Sequence, residues 1–301
     1  MATDRSSTPR TGLTLAIIGC GVMGTAILQG VLDACPKERT TGEKPRFSKV
    51  IACVNSEASV ERLKKAFMHE ERLEILQKGN VKGANAADVV MLGCKPYMVQ
   101  DILGEDGILA ALEEKLLISF VVGTPQAKIL NCLRKGTSNH PNDKALKKNP
   151  KIVRGMMNLA AQYGESLTII EDLPLPGDFL DIVNWIFSQL GKTTLVAPNL
   201  YDVGGVIAGA SSAFLSVAID GMLDGAVCEG IKRSEGRKML TQTLRSLAAL
   251  LENGETPDTV REKVSSPKGT TIAGTMSLEE DGVRASYSKA IVKAANRSRD
   301  I

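Results

Sequence analysis

Gly19, Gly21 and Gly24 in IIGCGVMGTAI keep the spacing G-x-G-x-x-G. That spacing suits a diphosphate. The first glycine permits a tight turn, the second lets backbone approach a pyrophosphate, and the third lets the next helix pack on the preceding strand. With Val22 and Met23 they form a candidate cofactor-binding turn. A second stretch, VSSPKGTT from Val264 to Thr271, gathers hydroxyls, a glycine and one lysine around a proline. It has no histidine, carboxylate or cysteine. Backbone N–H groups in such a turn suit an anion, and its side chains offer little to titrate near neutral pH. The chemistry it fits is orientation of a ligand.

Other candidates are single residues. Asn55 and Ser56 follow the apolar run Val50 to Val54, where an NAD-selective protein would place an acid. Without a carboxylate to repel a 2′-phosphate, this strand end favours NADPH, with NADH as the second choice. Arg62 and Lys64 come next, equally readable as a solvated helix face. Lys95 and Pro96, in CKP, follow the strand pattern DVVML, at the edge where open α/β sheets bind ligands. The two histidines, His69 and His140, lie in polar segments and are assigned neither catalysis nor metal binding. Six scattered cysteines, with no C-x-x-C pair, give no zinc site and no disulfide framework. They suit a reducing compartment, and the expected location is cytoplasmic.

These residues need a scaffold. Leu13 to Ile18 reads as a buried parallel strand, followed by the glycine turn and a helix starting near Thr25. Pro36 to Ser48 reads as a long loop, and Ser138 to Pro150 as a polar insertion. Further strands are expected at Val50 to Val54, in DVVML, in KLLISFVV and in KIVRGMM. Strands alternating with helices imply a parallel, doubly wound, Rossmann-like α/β domain. From Pro198 the chain reads as helical. Asp202 to Ile231 is apolar on nearly every face, as an interface helix would be, and Leu240, Leu244, Leu247 and Leu251 form one stripe. The expected organisation is a disordered tail over 1–12, a dinucleotide-binding domain over 13–197, and an all-α dimerisation domain over 198–301. No uninterrupted apolar run reaches bilayer length, so no membrane is expected. A net charge of +3 and 4% aromatics argue against nucleic acid.

A nicotinamide domain followed by helices carrying VSSPKGTTIAG resembles the pyrroline-5-carboxylate reductases. The resemblance covers almost the whole chain, through CKP, IVRGMMN, DGAVCEGIKR and LTQTL to the last block, its most specific part. It implies NADPH-dependent reduction of a cyclic imino acid, 1-pyrroline-5-carboxylate, to proline, in a homodimer or a larger ring of dimers. It further implies that Ser266, Gly269 and Thr270 line the substrate carboxylate, that the Thr271 hydroxyl meets the imine nitrogen, and that Asn158 lies beside the nicotinamide. Three stretches depart from the family pattern: GASSAF from Gly209 to Phe214, Leu159 and Ala160 after Asn158, and Lys268 where glycine is usual. They leave open a paralogue that reduces a substituted pyrroline or a piperideine carboxylate. A non-catalytic NADPH-binding regulator is the rival of a different class, although Ser266 and Thr271 are intact. β-Hydroxyacid dehydrogenases and imine reductases resemble a pattern with a lysine in the first long helix, and there is none between Val203 and Gly230.

Overall fold

The computed structural model describes residues 10–40, 44–138 and 148–300. It divides into two compact units, Met1–Gly209 with Arg297–Ile301, and Ala210–Asn296. The first is built on β1 (Leu13–Ile18), β2 (Phe47–Val54), β3 (Leu73–Gln77), β4 (Val89–Leu92), β5 (Leu116–Ser119), β6 (Lys151–Met156), β7 (Ser166–Glu171) and β8 (Gly191–Val196). Its helices are α1 (Val22–Thr40), α2 (Glu57–Ala66), α3 (Asn80–Ala86), α4 (Val99–Leu103), α5 (Ile108–Leu112), α6 (Gln126–Ser138), α7 (Phe179–Ser188) and α8 (Tyr201–Gly205).

The eight strands lie in the order β3-β2-β1-β4-β5-β6-β7-β8. Every neighbouring pair is parallel except β6 and β7. The pleat sends alternate side chains to opposite faces, so β1 serves two cores at once. Leu15 and Ile17 join α1, α2 and α7 residues such as Ile27, Leu63 and Phe187 on one face. Ala16 and Ile18 join α3 to α6 residues such as Ala84, Leu103 and Ile129 on the other. Burying each such large aliphatic or aromatic side chain contributes roughly 1.5–3 kcal/mol, which is why these runs are apolar without alternation. The doubly wound reading holds. One arginine and one glutamate are buried in the sheet: Arg154 Nε and Nη2 donate to Glu171 at 2.9 and 2.6 Å. The same guanidinium lies 4.1 Å from the centroid of the Tyr201 ring.

The boundaries differ from the sequence reading in places. Helix α1 begins at Val22 and runs through Thr40; residues 36–40 of the stretch that read as a loop are helix, and Phe47 and Ser48 at its other end already belong to β2. Residues 41–43, and most of the polar insertion with His140, lie outside the described residues, as do residues 1–9 of the expected tail. Arg10, from that same tail, makes a bidentate pair with Asp178 at 2.6 and 2.7 Å.

The second unit is helical: α9 (Ser211–Cys228), α10 (Arg233–Glu252), α11 (Pro257–Val264), α12 (Thr270–Glu280) and most of α13 (Val283–Arg299). Little of it is buried. Leu223 packs on Gly236 between α9 and α10, while Val217, Met239, Met276 and Val292 are more than half exposed. The expectation that no apolar stretch has bilayer length is corrected: the helical run Pro198–Cys228, 31 residues, is long and apolar enough by length and composition. Glycines and serines had masked it, since they interrupt apolar runs without adding charge.

Candidate nucleotide and imino-acid sites

In the first unit the glycine turn is fixed by backbone. The N–H groups of Gly19 and Cys20 both donate to the carbonyl of Cys53, at 3.1 Å, tying the turn to the end of β2. Gly19 takes φ +84°, a left-handed conformation that glycine adopts without a Cβ penalty. A Cβ there would stand 2.6 Å from the Cys94 nitrogen, so the ends of β1 and β4 touch through bare backbone. Gly24 meets Ile17 as α1 packs on β1. Gly21 has nothing within 4 Å of where a Cβ would be. Open space lies over Gly21, and the N–H groups of Val22, Met23 and Gly24 have no intrahelical partner at the start of α1. No acid stands in that first turn. The cradle therefore fits a pyrophosphate. It lies where the strand order reverses, between β1 and β4, the position at which open α/β sheets take ligands.

The other sequence-predicted residues of this unit follow the same edge of the sheet. Asn55 and Ser56 follow the end of β2 at Val54 and are exposed. The Ser56 hydroxyl accepts from Ser59 N at 3.3 Å, capping α2, and lies 2.9 Å from Ser59 Oγ. Lys95 and Pro96 open the short turn after β4, with Lys95 Nζ 6.0 Å from the Tyr97 ring centroid. Asn158, after β6, is held at both ends of its side chain: Oδ1 accepts from Ala160 N at 3.0 Å, and Nδ2 donates to Ala208 O at 2.8 Å. Sequence reasoning left Arg62 open between a cofactor contact and a solvated helix face. Its Nη1 donates to Thr25 Oγ1 at 2.9 Å and its Nη2 to Cys20 O at 2.8 Å, so it reaches the glycine turn itself. Position on α2 gave the hint; direction did not.

Nothing at this edge supplies a thiolate. Burial pushes the Cys20 and Cys94 thiols up to about 11 and the Cys53 thiol up to about 12. Among the described residues no group of three or more His, Cys, Asp or Glu is placed to hold a metal.

The second unit carries the other motif. Gly269 N donates to Ser266 O at 3.0 Å, closing a four-residue turn with Pro267 second and Lys268 third. Lys268 takes φ +59°, as the third residue of a type II turn must, the position that favours glycine. A Cβ on Gly269 would stand 2.3 Å from Ser266 Oγ, so glycine leaves room for that hydroxyl. Gly269 is also the N-cap of α12 and gives it no side-chain cap. Thr270 and Thr271 are the first two helical residues, and no acid follows in the first turn. The structure thus gathers Ser266, Gly269, Thr270 and Thr271 at one uncapped helix start, where hydroxyls and N–H groups meet the positive end of a helix dipole.

A doubly wound sheet with a glycine turn at its switch point defines the class of dinucleotide-binding α/β proteins. Comparison with known proteins narrows this. Residues 198–301 match the family model "Pyrroline-5-carboxylate reductase dimerisation", and residues 14–123 match "NADP oxidoreductase coenzyme F420-dependent". The chain is 38% identical to a pyrroline-5-carboxylate reductase of Lophium arboricola, covering 96% of this chain and 94% of the relative. It is 34% identical to that of Neurospora crassa, covering 94% and 91%. Among solved structures, the fold is shared with a Plasmodium falciparum pyrroline carboxylate reductase with NADP bound (TM-score 0.77, 21% identity, 97% and 98% covered). A pyrroline-5-carboxylate reductase from Coxiella burnetii is equally similar (TM-score 0.77, 22% identity, 96% and 98% covered). The chain belongs to the pyrroline-5-carboxylate reductase family.

Proposed function

We propose that this protein reduces 1-pyrroline-5-carboxylate to proline with NADPH. The observation that carries the reading is the uncapped start of α12, with Ser266, Gly269, Thr270 and Thr271 around it and no titratable acid, in a chain that also carries an open glycine cradle. NADPH, when bound, supplies the hydride that goes to the imine carbon while the nitrogen takes a proton. Gly19, Gly21, Val22, Met23 and Gly24 hold its pyrophosphate. Asn55 and Ser56 take the adenosine ribose end, and Lys95, Pro96 and Asn158 border the remainder. The α12 N–H groups and the Ser266 hydroxyl bind the substrate carboxylate. The Thr271 hydroxyl orients the nitrogen or passes it a proton from water; with its ordinary alcohol acidity it is no general acid of its own. An iminium is already electrophilic, so orientation and charge complementarity suffice.

The match of 198–301 to a dimerisation domain and the exposed apolar side chains of α9 to α13 support a homodimer. The same match favours a protein partner over a bilayer as the cover for Pro198–Cys228. A larger ring of such dimers, a place in proline biosynthesis and a cytoplasmic location complete the proposal. The free thiols of Cys20, Cys53, Cys94, Cys132 and Cys228 fit a reducing compartment. Ser211 and Ser212 at the start of α9, and the exposed Leu159, favour tolerance of a methylated or six-membered ring as a second activity. A difference of one methylene is worth only about 1–3 kcal/mol, so this preference is graded. The test is a panel of cyclic imino acids assayed with NADPH and with NADH. Turnover of pyrroline-5-carboxylate is expected. Its absence in protein that binds NADPH moves the reading to the paralogue, and turnover of no cyclic imine moves it to the regulator.

A further inference from the structure

Helix α2 has two polar faces of different character. At about 100° per residue, Glu57 and Glu61 fall on one side, where Lys64 Nζ closes on Glu61 at 3.4 Å. Ser59 and Arg62, three residues apart, fall on another side and are neighbours on the helix surface. Between these faces Val60 and Leu63 are buried. Arg62 reaches from its face to the glycine turn, with bonds to Thr25 Oγ1 and Cys20 O. Thr25 Oγ1 in turn donates to Gly21 O at 2.6 Å. Both acceptors are uncharged, so neither neutralises the guanidinium. A guanidinium has five N–H donors in a planar fork, which leaves N–H groups beyond these two bonds. Beside it, Ser59 Oγ and Ser56 Oγ lie 2.9 Å apart at the tip of β2.

A dinucleotide whose pyrophosphate lies on the turn brings its adenosine ribose to the tip of β2. The 2′ position then comes beside Ser56, with Ser59 and Arg62 following on α2. We infer that Arg62, with Ser59, reads the 2′-phosphate and sets the choice of NADPH over NADH. The phosphate takes charge-assisted bonds from the guanidinium, the geometry for which arginine is suited, and the serine hydroxyls complete its shell. Glu57 and Glu61 fall on the other side of the helix, and the Lys64 ammonium lies 3.4 Å from Glu61. The inference rests on the NADPH reading above and adds the residues that make the selection.

The experiment is calorimetric titration of the purified protein with NADPH, NADH, adenosine 2′,5′-bisphosphate and AMP, for the wild type, Arg62→Gln, Arg62→Lys and Ser59→Ala. Arg62→Gln should weaken NADPH and the bisphosphate by roughly 10- to 100-fold and leave NADH unchanged. Arg62→Lys should keep part of the preference, since it keeps the charge and loses the fork, and Ser59→Ala should lose a smaller part. Equal weakening of NADPH and NADH by Arg62→Gln would mean that Arg62 only braces the turn, and the inference would fall. Unchanged NADPH binding in folded Arg62→Gln and Ser59→Ala proteins would overturn it equally. A wild type that binds NADH as tightly as NADPH fails one step earlier, in the cofactor reading, and takes the inference with it.

Discussion

Gly19 and Gly21 stand two residues apart, yet alanine should act at them through different physics. At Gly19 the methyl must accept φ +84°, which costs an L-residue about 1–2 kcal/mol. It would also lie 2.6, 2.8 and 2.9 Å from the Cys94 nitrogen, the Cys94 Cα and the Gly93 carbonyl carbon. Those atoms are backbone and cannot turn aside, and overpacking of this kind costs typically about 1–3 kcal/mol more. Gly19→Ala should therefore lose about 2–5 kcal/mol, a large part of the roughly 5–15 kcal/mol that holds a native domain. At Gly21 no positive φ and no neighbour within 4 Å oppose the methyl. Gly21→Ala should fold as well as the wild type, or better by about 0.4–1 kcal/mol through a less flexible unfolded chain. Its methyl, however, occupies the space proposed for the pyrophosphate, so NADPH affinity should fall at least about 10-fold, about 1.4 kcal/mol. Denaturant unfolding and calorimetric titration, run on both variants at one protein concentration, separate the two effects. Undiminished NADPH binding by Gly21→Ala would refute the cradle, and wild-type stability of Gly19→Ala would refute the packing argument.

Three further outcomes are expected. Lys268→Gly should relieve the left-handed strain, net of glycine's greater freedom when unfolded, by about 0.5–1 kcal/mol in denaturant unfolding; a loss of stability would contradict the type II turn. Thr271→Val should lower turnover by roughly ten- to a thousandfold while NADPH still binds, and Ser266→Ala should chiefly raise KM; an unchanged kcat in Thr271→Val would remove the nitrogen contact. Alkali should destabilise the fold, because the unfolded cysteines ionise from about pH 8.5 while folded Cys20 and Cys53 hold their protons to about 11 and about 12. Across that window the folded state binds more protons, so stability falls as pH rises. A Cys20→Ala/Cys53→Ala protein should show a flatter fall, and an identical slope would count against the buried-thiol account.

The parts of the fold legible in the sequence are those where one rule decides. β1, β4 and β5 are buried on both faces and, Thr14 and the terminal Ser119 apart, read as apolar runs. β3 and β8 were illegible, since LEILQ is only half buried and GKTTLV is largely exposed, leaving no run and no clean alternation. The antiparallel turn from β6 to β7 carried no signal either. Within the second motif, the residues were plain but their setting was not: Thr270 and Thr271 open a helix that the sequence presented as a loop. The left-handed Lys268 follows from Ser-Pro-Lys-Gly only once the Ser266–Gly269 bond is known. Arg62 and Lys64 looked equivalent in sequence, and only their directions, toward Cys20 and toward Glu61, tell them apart.

The strand order also shapes the chain's synthesis. β1 lies between β2 and β4, but β4 is translated about seventy residues after β1. Once β3 has been made and until β4 arrives, the half-sheet β3-β2-β1 has an unpaired inner border made of its most apolar strand, and such borders invite pairing with the wrong chain. The arrival of Val89–Leu92 seals it, and the next two residues, Gly93 and Cys94, set their backbone against Gly19. The cradle proposed for the pyrophosphate is thus finished by the same stretch that ends the nascent chain's exposure. A pause in translation before Val89–Leu92 has left the ribosome would prolong the hazard, whereas a pause once that strand has emerged would let the half-built sheet close before the helical unit does.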